Sequence, residues 1–124
     1  MRLHEFQSKQ ILAQAGVPVP AGEVVIDAEA VYSAAARLGL PVAIKTQVLV
    51  GGRGKAGGIR LAHTADEARR VASELLIATV RGFPVRRLLV EKAVEATREL
   101  YLAVTLDRSL GLPVVIASCQ GGVD

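Results

Sequence analysis

The sequence predicts an α+β (α/β) domain, in which a mixed sheet is flanked by helices and two of its strands are joined by a glycine-rich phosphate loop. Three observations support this fold class. Strand-like and helix-like segments alternate along the 124 residues, without internal repeats. The segment after Thr64 has the start signal and the apolar stripe of a helix that packs on a sheet. Residues 51–58 are rich in glycine and positive charge and lie between two apolar stretches.

Three helices are predicted from their start and stop signals. Residues 1–15 have a helix-forming composition but an imperfect apolar spacing, and a connector with two prolines ends them. Asp27 can cap a second helix, which Gly39 closes. Thr64 and Glu67 have the spacing of a capping box at the start of a third helix. Its apolar residues follow the i, i+3, i+4, i+7 pattern of a sheet-packed helix: Ala68, Val71, Ala72 and Leu75.

Short apolar stretches between these helices predict strands. They cover residues 23–26, a stretch that ends at Lys45, and residues 59–62, 87–91, 99–106 and 114–118. The last two are separated by a turn-rich stretch, which predicts a hairpin.

Residues 51–58 read Gly-Gly-Arg-Gly-Lys-Ala-Gly-Gly. Without Cβ atoms, such a backbone can turn sharply and aim successive N–H groups at one anion. Arg53 and Lys55 are expected to add mobile positive charge. The segment therefore has the composition of a phosphate-binding loop.

Two familiar phosphate loops do not fit this segment. A Walker A loop needs a Ser or Thr after its lysine, whereas Ala56 follows Lys55. Gly52-x-Gly54-x-x-Gly57 matches the dinucleotide fingerprint, but that fingerprint must open into a helix and here a strand follows. The loop is therefore expected to join two strands as a flap over a nucleotide, similar to the arrangement in kinases.

Charged residues stand where apolar strands end. Lys45 closes one strand and could reach phosphate oxygens, or be an ordinary solvent-exposed lysine. Glu91 closes another and could accept a hydrogen bond from an adenine amino group or a ribose hydroxyl, or simply lie on the surface. Glu99 could join it on one wall of a cleft, or pair with Arg98 or Lys92 at a sheet edge.

Composition excludes several function classes. The net charge of +3 is modest, and the four aromatic residues are too few for a base-stacking platform, which disfavours an RNA-binding module. No apolar run near twenty residues and no signal peptide is seen, so a soluble cytoplasmic protein is expected. Cys119 is expected to be buried and structural. His4 and His63 are too isolated to suggest a metal site or a catalytic base, and no catalytic or metal-ligating constellation can be assembled.

Several ordered motifs together resemble the N-terminal part of the succinate-CoA ligase (succinyl-CoA synthetase) β subunit. They are Leu3-His4-Glu5-Phe6-Gln7-Ser8-Lys9, Gly16-Val17-Pro18-Val19-Pro20, Ala43-Ile44-Lys45-Thr46-Gln47-Val48, residues 51–58, Leu89-Val90-Glu91, Glu99-Leu100-Tyr101, Asp107-Arg108 and Gly121-Gly122-Val123-Asp124. The resemblance implies the N-terminal portion of an ATP-grasp fold. It also implies a tricarboxylic acid cycle reaction, in which ATP or GTP, succinate and CoA give succinyl-CoA, nucleoside diphosphate and phosphate. A phosphohistidine on an α subunit would carry the phosphoryl group, in an αβ or α2β2 assembly located in the cytoplasm or the mitochondrial matrix.

The same resemblance assigns nucleotide-binding roles residue by residue. Lys45 would contact the nucleotide phosphates, and the loop Gly52-Arg53-Gly54 would cover them. Glu91 and Glu99 would line the base and ribose end, with a backbone contact from Val94. Leu49 and Val94 differ from the histidine and threonine that are usual in the family, which leaves the preference for ATP or GTP open.

The resemblance further implies a longer polypeptide, of which these residues are a fragment. Residues 20–95 would form a small nucleotide-binding lobe, and residues 1–19 and 96–124 would begin a second lobe. The Asn and Asp that bind Mg2+ would follow Asp124, so this chain alone is expected to be inactive. A malate-CoA ligase β subunit and a stand-alone nucleotide-binding module remain as alternatives.

Overall fold

The computed structural model describes residues 2–121; Met1 and residues 122–124, the end of the last motif, lie outside the described residues. The helices are α1 (Glu5–Gln14), α2 (Ala28–Leu38) and α3 (Ala65–Leu76). The strands are β1 (Gly22–Val25), β2 (Val42–Thr46), β3 (Ile59–Ala62), β4 (Thr79–Val80), β5 (Phe83–Pro84), β6 (Leu88–Lys92), β7 (Tyr101–Asp107) and β8 (Leu112–Ser118). The chain divides into two compact units, one up to Val94 and one from Glu95 onward.

The first unit is built on a four-stranded sheet in the order β1-β6-β2-β3. β6 pairs antiparallel with both β1 and β2, and β2 pairs antiparallel with β3. The predicted α+β class is confirmed, but the prediction of a mixed sheet is wrong, because every pairing is antiparallel. β1 and β2, which α2 connects, do run parallel to each other, but β6 lies between them.

The two helices that cover this sheet begin where their capping signals predicted. The backbone N–H of Ala30 donates to the Asp27 carboxylate at 2.7 Å, and the N–H of Glu67 donates to Thr64 Oγ1 at 3.1 Å. α2 ends at Gly39, whose φ of 80° suits glycine. The predicted stripe of α3 is buried. The core lies between these helices and one face of the sheet and includes Val31, Ala35, Val42, Ile44, Ala72, Leu88 and Val90.

α1 differs from the other two helices because none of its residues is buried. It begins at Glu5, four residues later than predicted from composition, since the side chain of Gln7 accepts a hydrogen bond from the backbone of His4 at 2.9 Å. Hydrogen bonds and ion pairs, rather than an apolar stripe, hold it on the sheet. It is part of the first compact unit, and the assignment of residues 1–19 to a second lobe stays a prediction.

A two-stranded hairpin, β4–β5, was not predicted from the sequence. Each strand has two residues, and Arg81 and Gly82 make the turn with positive φ angles of 50° and 87°. Strands this short leave no periodic pattern to detect.

The second unit contains the predicted hairpin, in which β7 and β8 pair from Tyr101↔Ser118 to Asp107↔Leu112. The prediction that Cys119 is buried is wrong, because the residue is exposed. It follows β8, in which every residue is exposed, since a two-stranded ribbon has no interior.

Among the helices described in residues 2–121, none has the length and apolar character needed to cross a membrane.

Candidate functional site

Five charged side chains meet on the sheet face opposite the core. This charged cluster consists of Glu5, Lys9, Lys45, Arg53 and Glu91. Lys45 Nζ lies 2.6 Å from Glu91 Oε2 and 3.2 Å from Glu5 Oε1. Lys9 pairs with both carboxylates, and its Nζ lies 3.1 Å from Glu5 Oε1. Arg53 Nη2 lies 2.5 Å from Glu5 Oε2.

The register between β2 and β6 brings Lys45 and Glu91 together. Glu91 pairs with Ala43 across β6 and β2, so Lys45 lies two residues further along the neighbouring strand, on the same face. Ile44, between them on β2, points into the core. Alternation along the strands therefore separates a charged face from an apolar one.

α1 supplies the other carboxylate and a further ammonium. Glu5 and Lys9 are one helical turn apart and therefore project from the same side of α1. The N–H of Phe6 donates to Gln47 Oε1 at 3.1 Å, which anchors the start of the helix at the end of β2. The cluster thus joins the helix to the sheet.

The glycine loop folds back on the end of β2 and delivers Arg53 to the cluster. Arg53 Nη1 donates to the Thr46 carbonyl at 2.5 Å, and the Arg53 carbonyl accepts from Gly58 N–H at 2.8 Å. Thr46 N–H in turn donates to the Gly58 carbonyl at 2.8 Å. Arg53 is therefore a positioned cation, with a side chain only 16% exposed, and the expectation that it adds mobile charge stays a prediction.

Gly58 is required where the loop rejoins the sheet. A Cβ atom there would lie 2.5 Å from Thr46 Oγ1 and 3.2 Å from the Arg53 carbonyl. The first distance would force an atom to move, and the second would require the carbonyl to shift by a few tenths of an ångström. The loop can approach β2 this closely only with glycine at the position.

The charges of the cluster do not cancel. Three cations and two carboxylates give 3 − 2 = +1. Burial alone would raise the pKa of Glu5, but the hydrogen bond from Arg53 and the charge of Lys45 together lower that pKa to about 2. Burial likewise opposes the charged form of Lys45, but the carboxylates of Glu91 and Glu5 raise its pKa above the ordinary value. Both shifts favour the charged forms of Glu5 and Lys45, and the formal charges of the cluster leave one positive charge for an anionic ligand.

Two cavities border the cluster. One of about 280 Å³ has an apolar wall that includes Phe6, Val24 and Leu89, and it reaches Lys9 and Glu91. The other, of about 330 Å³, is lined by Glu5, Arg53 and Arg2 together with apolar residues that follow β2. The first has the character that suits a planar apolar group, and the second offers cations to an anion.

The structure brings together three of the residues singled out from the sequence, namely Lys45, Arg53 and Glu91. Gly52 and Gly54 lie in the loop on either side of Arg53. Glu91 is only 2% exposed, and two lysines neutralise its carboxylate.

The remaining two sequence-predicted residues lie after the sheet. Val94 follows β6 and is 67% exposed. Glu99 belongs to the second compact unit, where it is exposed and precedes β7.

Glu5 and Lys9 were missed as site residues. The available signal was the combination of an i, i+4 pair of opposite charges with a helix that lacks an apolar stripe. Such a helix must be held by polar contacts. In residues 2–121, no group of three or more His, Cys, Asp or Glu side chains is arranged to hold a metal ion.

Comparisons with known proteins report which family and which relatives the chain resembles. The family described as "ATP-grasp domain" matches residues 2–124. The succinate–CoA ligase (ADP-forming) subunit beta of Natronomonas pharaonis is 52% identical over 124 residues, which is all of this chain and 33% of that protein. The protein of the same name from Chloroflexus aurantiacus is 46% identical over the same length, again 33% of the relative. The chain thus spans about one third of the length of the curated relatives it matches.

Solved structures share the fold. The dinucleotide-forming acetyl-coenzyme A synthetase 1 of Ca. Korarchaeum cryptofilum, in complex with coenzyme A, Ca-AMPCP and HgCl+, has a TM-score of 0.81 at 21% identity. The match covers 94% of this chain and 52% of that one. The biotin carboxylase of Campylobacter jejuni, in a β-γ-ATP complex, has a TM-score of 0.66 at 26% identity, covering 88% of this chain and 24% of that one.

Proposed function

The chain belongs to the ATP-grasp domain family, and from this premise we propose that it forms the nucleotide-binding part of the β subunit of a succinate-CoA ligase. The proposed reaction converts ATP or GTP, succinate and CoA to succinyl-CoA, nucleoside diphosphate and phosphate. The observation that carries the proposal is the identity of 46% to 52% with proteins of that name over all 124 residues. Similarity of this extent includes the loop and both strands that build the charged cluster.

The phosphates of the nucleotide would be bound by Lys45, Arg53 and the backbone of the glycine loop. Lys45 is held between two carboxylates, and Arg53 is fixed by the Thr46 carbonyl, so both cations are positioned before a ligand arrives. In phosphoryl transfer the protein contributes mainly alignment of the phosphates and neutralisation of their charge. Positioned cations beside a glycine loop are suited to that task.

The base and ribose would lie toward Glu91 and Val94, and the assignment of Glu99 to this end stays a prediction from the resemblance. The 280 Å³ cavity beside Glu91 has an apolar wall against which a flat heterocycle can pack. Glu91 would border this base end, and its pairing with Lys45 would also keep that lysine in place at the phosphates. Val94 would contribute its backbone, which lies just after β6.

The Mg2+ that accompanies a nucleotide would be bound by the Asn and Asp that the family resemblance implies beyond Asp124. CoA and succinate would be substrates of the whole enzyme. An α subunit that carries the phosphorylated histidine would be the partner, and the assembly would work in the cytoplasm or the mitochondrial matrix.

The test is an assay of the native polypeptide with its α subunit. We expect ATP or GTP to phosphorylate a histidine of the α subunit, and succinate with CoA to discharge that phosphoryl group as succinyl-CoA. Succinate should be compared with malate, and ATP with GTP, in the same assay. Nucleotide binding without any histidine phosphorylation would reject the ligase and favour a stand-alone nucleotide-binding module.

A further inference from the structure

Glu5 forms ion pairs with Lys45 and Arg53, the two cations that a phosphate group would need. Its Oε2 accepts from Arg53 Nη2 at 2.5 Å, and its Oε1 lies 3.2 Å from Lys45 Nζ. Both cations also have neutral or buried partners, the Thr46 carbonyl for Arg53 and Glu91 for Lys45. Glu5 is thus the carboxylate that bridges the loop cation and the strand cation.

The position of Glu5 makes it accessible to an incoming anion. Its side chain is 19% exposed, compared with 2% for Glu91. It also lines the 330 Å³ cavity together with Arg53 and Arg2. An anion that enters this cavity therefore meets the Glu5 carboxylate and the Arg53 guanidinium together.

Charge arithmetic sets the direction of the effect. With Glu5 the cluster carries +1, and without that carboxylate it would carry 3 − 1 = +2. A like charge a few ångströms from a phosphate opposes binding, and more so where water is partly excluded. The opposition should increase with the number of phosphate charges.

We infer that Glu5 is an internal counter-anion of the nucleotide site, which holds Lys45 and Arg53 before a nucleotide binds and is displaced by the phosphates of a nucleoside diphosphate or triphosphate. This inference rests on the proposed nucleotide-binding function. It assigns to α1 a part in setting nucleotide affinity. The Glu5 carboxylate would then stabilise the protein before a nucleotide binds, and the same carboxylate would lower the affinity for the nucleotide.

The test compares the native polypeptide with its Glu5→Gln variant by calorimetric titration with adenosine, AMP, ADP and ATP. Glutamine keeps the shape and an acceptor oxygen but removes the charge. We expect Glu5→Gln to lower the Kd for ADP and ATP roughly tenfold, as removal of one nearby like charge predicts. The gain should be smaller for AMP and absent for adenosine.

The matched control is Glu23→Gln. Glu23 pairs with Arg37 through a bond of 2.6 Å on the surface, away from the cluster, and the variant makes the same change of net charge. Its affinities should equal those of the native polypeptide. A merely structural defect in Glu5→Gln would weaken binding of all four ligands, whereas a counter-anion predicts tighter binding of ADP despite a lower melting temperature.

A second measurement needs no variant. Carbodiimide-mediated labelling of carboxylates should increase at Glu5 when the native polypeptide is saturated with ADP, because the displaced carboxylate becomes accessible. Unchanged or reduced labelling, or unchanged or weaker ADP binding by Glu5→Gln, would overturn the inference and leave nucleotide binding itself intact. Failure of both native and variant polypeptides to bind any nucleotide would instead reject the proposed function, and the inference with it.

Discussion

Glu91 Oε2 lies 2.6 Å from Lys45 Nζ, across the contact between β6 and β2. The carboxylate is 2% exposed and the ammonium side chain 20% exposed, so the pair lies mostly out of solvent. Removal of one member leaves the other without its partner in a poorly hydrated place. The pair therefore couples the stability of the sheet to the position of a ligand-facing cation.

Glu91→Gln should lower the free energy of unfolding by roughly 2–4 kcal/mol, because Lys9 and Lys45 would lose their buried carboxylate and share only that of Glu5. Equilibrium urea unfolding of the native polypeptide measures this loss. The matched variant Glu23→Gln breaks an exposed pair and should leave the unfolding free energy nearly unchanged. Equal effects of the two substitutions would contradict a special role for the buried pair.

Lys45→Met should reduce the rate of histidine phosphorylation on the α subunit roughly a hundredfold, since a positioned cation at the transferred phosphate would be lost. Rapid-quench phosphorylation with labelled ATP provides the measurement. Arg70→Met removes a positive charge from the exposed face of α3 and serves as the control. An unchanged rate for Lys45→Met would remove this residue from the site.

Gly58→Ala should destabilise the protein by roughly 1–3 kcal/mol, because the new methyl group overlaps the buried Thr46 hydroxyl and the Arg53 carbonyl. Nucleotide affinity should fall with it, as Arg53 shifts. Gly51→Ala is the control, since a Cβ there meets no atom within 4 Å. Thermal unfolding and ADP titration distinguish the two variants, and a tolerated Gly58→Ala would disprove the tight approach of the loop to β2.

Acid should remove the contribution of Glu5 to stability. Its pKa is lowered from 4.5 to about 2 in the folded protein, so the folded state favours the ionised form. The stabilisation is complete above pH 4.5 and is lost as the pH falls toward 2. The difference in unfolding free energy between the native polypeptide and Glu5→Gln should therefore narrow over this interval, and a constant difference would contradict the ion pairs.

The 124 residues on their own should form no succinyl-CoA, because they span about one third of the length of the relatives that carry the ligase name. Their affinity for ATP should be weak. A coupled assay with α subunit, succinate, CoA and Mg-ATP makes the measurement. Succinyl-CoA formation by these residues alone would contradict the prediction.

Local signals were sufficient for the helices and the loop. The capping residues Asp27 and Thr64 start their helices as predicted, because a cap depends only on residues within one turn. The glycine loop joins β2 to β3 as predicted, because a strand follows it directly. The antiparallel pairing was missed, because no local signal reports that β6 inserts between β1 and β2.

Glu5 and Lys9 were missed as site residues for the same reason. Glu5 and Lys9 bind partners that are distant in sequence, and no spacing rule connects α1 to β6. The hairpin β7–β8 was predicted correctly, but the prediction that Cys119 is buried was wrong, since an apolar neighbourhood in sequence does not say whether a ribbon is covered. Contacts between elements therefore needed the structure.

The sheet order has a consequence for the time course of folding. A ribosome delivers β1, α2, β2, β3 and α3 before it delivers β6, yet β6 is the strand that binds β1 to β2. β2 and β3 can pair with each other earlier, but β1 has no partner strand until Leu88–Lys92 emerges, and contacts between distant residues form slowly. Assembly of the sheet is thus a late event in synthesis, and Glu91 arrives on the strand that completes it.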